Sequence, residues 1–140
     1  MPYNAEIDTL LSDEQRAEIQ TVILEFDTDK GITYAKKWAT SKNTSQYKFF
    51  SGGDCANFAS QILENGGVSQ DSSTSEYSGW WHKAEKGTLS TKHTHSVSWI
   101  NADTFARYMG VGYTTTSNAD FSANIQAGDF IACDFKSDGS

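Results

Sequence analysis

Apolar residues recur at helical spacing through the first half of the chain, then give way to polar stretches studded with aromatics and to short strand-like runs. Ser12 followed three residues later by Gln15 forms a capping-box pattern, and Ile19, Val22, Ile23 and Phe26 then mark the buried stripe of a surface helix. The segment from Asp27 to Gly31 interrupts this period. Ile32, Ala35, Trp38 and Ala39 resume it, which predicts a second helix reaching the polar stretch from Thr40 to Gln46. A third helix is predicted from Cys55, with Cys55, Phe58, Ala59 and Ile62 facing inward and Gly66-Gly67 stopping it. Residues 68 to 98 are rich in Ser, Thr and Gly without a regular period, and read as a loop region anchored by Tyr77, Trp80 and Trp81. After Asn101, the spacing of Ala102, Phe105, Ala106 and Met109 predicts a short helix ending at Gly110. Val111 to Thr116 and Phe130 to Phe135 have the composition of strands, the second following a Gly128-Asp129 turn. The pattern as a whole is α+β.

Composition narrows what such a fold can do. A chain of 140 residues is long enough to bury a core without disulfides, and eighteen aromatics with a single proline exclude a disordered or low-complexity reading. The net charge of -7, with eleven basic residues that read as scattered, argues against a nucleic-acid partner and against tight electrostatic docking on an anionic polymer. No window approaches the apolar run of a membrane span, and Met1 to Glu6 lacks the basic and apolar regions of a secretory signal. Two cysteines and three unclustered histidines do not give a zinc site by spacing. Two acidic stretches resemble fragments of calcium loops, one at Asp27 to Gly31 and one containing Asp134 and Asp138, but Lys136 stands where an acidic ligand is expected. Turn and helix-cap roles suit them better, and no cofactor is expected.

The chemistry concentrates at Gly52-Gly53-Asp54-Cys55-Ala56-Asn57-Phe58-Ala59-Ser60-Gln61. A glycine turn delivers Cys55 to a helix start, where the partial positive charge favours a thiolate and free N–H groups can receive an oxyanion. Asp54 is placed either to cap that helix or to stand beside the reacting thiol. Asn57, Ser60 and Gln61 are placed to tie neighbouring loops or to touch a substrate. Tyr77, Trp80 and Trp81 fit two roles, core anchors under the loop or the walls of a groove that stacks on sugar or peptide. His82, His93 and His95 fall in a polar region, with His95 the foremost of the three as a substitute base. Cys133, alternating with Ile131 and Phe135, reads as core packing, with a bond to Cys55 as the alternative.

The stretch around Cys55 resembles the putative amidase domain family of bacterial proteins, distant relatives of papain-like cell-wall hydrolases. The similarity extends to Tyr34 to Ala39, Tyr47 to Phe50, the Gly66-Gly67 stop, the Trp80-Trp81 pair, Ser98-Trp99 with Phe105 and Tyr108, and Gly128 to Ile131. It covers most of residues 31 to 140, leaving 1 to 30 as a helical lead-in. The resemblance implies a papain-like α+β fold with Cys55 as nucleophile on a central helix packed on an antiparallel sheet. It also implies a secreted or cell-surface amidase or peptidase acting on peptides or peptidoglycan. In that family the base histidine follows an acidic Asp-Gly loop, here Asp138-Gly139, so the chain is expected to stop short of its last strands and to be inactive by itself. Two other readings stay open: an inactive peptide- or wall-binding module, and a fragment whose sheet a partner chain completes.

Overall fold

The computed structural model describes residues 25–110, 117–126 and 129–131. Within them the architecture is α+β. Helix α1 (Thr28–Trp38) is followed by α2 (Cys55–Asn65), the antiparallel strands β1 (His82–Lys86) and β2 (Thr91–His95), then α3 (Val97–Ile100), α4 (Ala102–Met109) and α5 (Asn118–Asn124). Helix α2 packs against α1, α3 and α4 and so holds the centre of the described structure. The predicted helix from Ser12, the strand-like run from Val111 to Thr116 and the cysteine at 133 lie outside the described residues. Of the predicted strand from Phe130 to Phe135 only Phe130 and Ile131 are described, and neither is in a strand.

Local chemistry explains where the helices begin and end. Asp27 accepts from the Lys30 N–H at 3.1 Å and caps α1, so the first acidic stretch is a helix cap and the helix starts three residues before the glycine. Asn101 caps α4 in the same way, accepting from the Thr104 N–H at 2.9 Å. Helix α2 ends at the glycine pair, where Gly67, at φ 103, donates to Glu64 O (3.0 Å) and Val68 donates to Leu63 O (3.0 Å). Gly31 and Gly66 both face the Phe26 ring, which stands where a β-carbon at either position would collide with it, so α1 and the end of α2 close on that ring only because both positions lack a side chain.

Residues 68 to 98 depart from the loop reading. His82 to His95 form a β-hairpin in which His82 pairs with His95 and Lys86 with Thr91. The four-residue connection is closed by a bond from Gly87 N–H to Ser90 O at 2.8 Å. Both faces of this hairpin are largely polar, so it lacks the apolar alternation by which half-buried strands are read from sequence. Before it, Asp71 and Trp80 form an isolated antiparallel bridge that closes the Ser-rich loop between them.

The core is aromatic. Trp80 and Trp99 are buried and stack at 4.8 Å between ring centroids, and Tyr47, Leu63, Val68 and Met109 complete the cluster with Tyr34. Full burial of each large side chain contributes about 2–3 kcal/mol. The hairpin docks on this stack through His82, whose ring lies 5.5 Å from Trp99 and 5.2 Å from Tyr47.

The inward face of α2 also differs from expectation. Ala56, Asn57, Ser60, Gln61 and Leu63 are buried, whereas Phe58 and Ile62 are half-buried and Cys55 is exposed. Three polar side chains turn inward because the aromatic core supplies partners: indole and phenol groups need hydrogen bonds when buried, and α2 provides them.

Candidate active site

Cys55 is the first residue of α2, a free and exposed thiol. The turn before it is open. At Gly53 (φ 158) and at Gly52 a β-carbon would meet nothing within 4 Å, so the turn itself borders open space.

Asp54 stands at the N-cap position but does not cap the helix. Its Oδ1 instead accepts from the Phe50 N–H at 3.0 Å and from Asn57 Nδ2 at 2.8 Å. The carboxylate thereby fastens the loop to the helix and fixes the cysteine between them. The first-turn N–H groups of α2 carry no side-chain partner, in contrast to α1 and α4, whose N-caps are filled.

Asn57 and Ser60 are buried and spend their polar atoms on the core. Asn57 Nδ2 also donates to Lys48 O (2.8 Å), while its Oδ1 accepts from the Trp99 indole (3.0 Å). Ser60 Oγ donates to Trp99 O at 2.9 Å and accepts from the Trp80 indole at 3.0 Å. These bonds place both residues in the scaffold behind the thiol. Gln61 differs. Tyr34 donates to its Oε1 at 2.6 Å while accepting from Asn43 Nδ2 at 3.2 Å, and no partner takes the Gln61 Nε2 hydrogens. Burial, ahead of the nearby Glu64 and Asp54 carboxylates, raises the Tyr34 phenol above its usual range, so it stays a donor.

Cys55, Asp54 and Gln61 share one cleft of about 380 Å³. Its aromatic walls are Trp38, Tyr47, Phe49 and Phe58, and Lys42 and Lys48 also line it. Gln61 lies six positions along the helix from Cys55, a span of about 9 Å at 1.5 Å per residue. The aromatic groove therefore exists, but not where the sequence placed it: Trp80 and Trp81 are 1% and 6% exposed and belong to the core, which removes them as groove walls. Their indoles are held by Ser60 Oγ and Ser78 O. Tyr77 is 82% exposed and lies outside the cleft. The sequence read Trp38 as part of a helix stripe and Phe49 and Lys48 only as part of the run from Tyr47 to Phe50, and gave none of them, nor Lys42, a place in the groove.

The histidines gather on the hairpin, outside the lining of the cleft. His82 Nε2 and His93 Nδ1 are 3.0 Å apart, and the His82 pKa is lowered to about 4, by burial first and then by the charges of His93 and His95. The His95 ring meets Phe50 edge-on at 5.4 Å and its Nδ1 is buried without a hydrogen-bond partner. The structure does not bring His95 into the cleft with Cys55.

Among the described residues no three His, Cys, Asp or Glu side chains are grouped to hold a metal ion, and Asp134 and Asp138 lie outside them. No helix among the described residues is long and apolar enough to cross a membrane. No curated protein and no solved structure matches the chain. A family model does, that of the putative amidase domain, over residues 25–140. With most of its length matched, and with a free cysteine opening a helix beside a cleft, the chain belongs to the putative amidase domain family.

Proposed function

We propose that this domain hydrolyses amide bonds through Cys55, with a peptide or the peptide part of peptidoglycan as substrate. One observation carries the reading: Asp54 occupies the N-cap of α2 yet turns its carboxylate to Phe50 and Asn57, leaving the N–H groups beside an exposed thiol uncapped. Those groups suit an oxyanion, and family membership supports an amidase.

The chemistry follows from that geometry. The Cys55 thiolate adds to the amide carbonyl carbon, forming a C–S bond, and the oxygen takes the negative charge against the first-turn N–H groups of α2. A base histidine, placed by the family resemblance after Asp138-Gly139, gives a proton to the departing amine as the C–N bond breaks. Water, deprotonated by the same imidazole, then cleaves the thioester and returns the thiolate. A papain-like arrangement of helix and sheet, and a secreted or cell-surface setting, belong to the same proposal.

The test is release of amine from short peptide amides, with Cys55→Ala as control. Release that Cys55→Ala abolishes supports the reading. Release indifferent to that substitution overturns it, as does the absence of release from protein that carries a histidine after Gly139.

A further inference from the structure

From Lys30 to Gly53 the sequence contains five lysines and not one Asp or Glu, although the whole chain carries a net charge of -7. This stretch supplies most of the cleft lining that precedes Cys55. The basic residues are thus not scattered: nearly half of them sit on the segment that walls the candidate site. Two of these five lysines reach the cleft that Cys55 lines.

Lys42 and Lys48 both line the cleft. The Lys42 ammonium rests over the Phe49 ring at 3.6 Å from its centroid, and that of Lys48 lies 5.1 Å from the Phe50 ring. Among the described residues neither has a carboxylate within ion-pair distance. Asp54, the acidic group in the cleft, has its Oδ1 engaged by Phe50 N–H and Asn57 Nδ2.

A second observation points the same way. Gln61 lines the cleft while only 5% exposed, and its Oε1 is held by Tyr34. The amide is oriented by a relay, Asn43 to Tyr34 to Gln61, so the unpartnered end is a donor.

We infer that the cleft selects an anionic acyl group: a peptide carrying a carboxylate near the scissile amide, with Lys42 and Lys48 attracting the carboxylate and the Gln61 amide donating to the bound chain. The inference rests on Cys55 being the reactive thiol of the proposed amidase. Charge selection at the thiol nevertheless has its own readout, independent of turnover.

The experiment compares alkylation of Cys55 by iodoacetate and by neutral iodoacetamide. In both, the thiolate sulfur bonds to the reagent's methylene carbon and iodide leaves, so the rate ratio reports the field at the sulfur. The ratio in the folded protein should exceed that in the same protein unfolded in urea, by about two-fold for each lysine acting across a solvated cleft. Lys42→Met with Lys48→Met should remove the excess, as should high salt. Lys86→Met, which makes the same charge change on the exposed hairpin, should leave it intact. A folded ratio equal to the unfolded one, or a loss matched by Lys86→Met, overturns the inference.

Two acetyl-dipeptide chloromethyl ketones that differ only in Glu against Gln extend the test to the peptide itself. Several-fold faster labelling by the Glu reagent, lost in the double lysine variant, is the expected result. Equal labelling by the two reagents, or suppression of iodoacetate labelling by inorganic phosphate without any Glu preference, overturns the assignment to a peptide carboxylate. A thiol that reacts with iodoacetamide no better when folded at mildly acidic pH would sink the nucleophile reading instead, while the charge ratio would remain measurable.

Discussion

Trp99 donates its indole N–H to the side-chain oxygen of Asn57 at 3.0 Å, a bond that joins the cysteine helix to the aromatic core across 42 residues of chain. The other end of the same amide holds Lys48 O and Asp54 Oδ1. One buried side chain therefore couples the core, the basic stretch and the cysteine loop. Asn57→Ala strips a partner from the buried Trp99 indole and from two part-buried acceptors, Lys48 O and Asp54 Oδ1, and should cost about 2–4 kcal/mol of stability. Urea denaturation of the variant measures it, with a shift in midpoint at constant slope as the expected form.

On the proposed reading Asp54 is a positioning residue for Cys55. Asp54→Asn keeps an oxygen for Phe50 N–H and Asn57 Nδ2 and should retain most of the reactivity of Cys55. Asp54→Ala releases the loop, and Cys55 alkylation should fall several-fold while near-ultraviolet circular dichroism of the tryptophans stays native. Equal reactivity in the two variants would remove the positioning role.

His82 makes stability depend on pH. Its folded pKa of about 4 lies below the usual 6.5, so the unfolded chain binds the proton first as pH falls. The stabilisation is complete above about pH 6.5 and is lost progressively down to about pH 4. Because the ring is only half-buried, the loss should be about 1–2 kcal/mol, less than the full shift implies. His82→Phe should flatten the stability profile in that window, which denaturation midpoints from pH 4 to 7 would show.

Much of this was legible in the residues themselves. Capping side chains and glycines acting locally mark helix ends, which is why α2 starts at Cys55 and stops at Gly66-Gly67, and why α4 ends at Gly110. Periodicity found only part of the buried face of α2 because it weighs apolar residues only: Phe58 and Ile62 do pack against the core, but Cys55 is exposed and Asn57, Ser60 and Gln61 are inward for their hydrogen bonds. The hairpin was hidden by its polar faces. Trp80 and Trp81 were ambiguous because an indole serves equally as a groove wall and as a core anchor. Ser60, twenty residues away, takes the Trp80 indole N–H and Ser96 takes the Trp81 backbone N–H, and no local pattern announces these partners. The basic wall of the cleft was visible as a gap in acidic residues from Lys30 to Gly53, a signal that total charge conceals.

The central claim is that the start of α2 makes Cys55 a nucleophile, and the pH dependence of its alkylation by iodoacetamide tests it most directly. The folded protein should react at pH 6 at least several-fold faster than the same protein unfolded in urea, with labelling confined to Cys55. Slower reaction in the folded state across the whole pH range would make the thiol structural and leave the cleft without its chemistry.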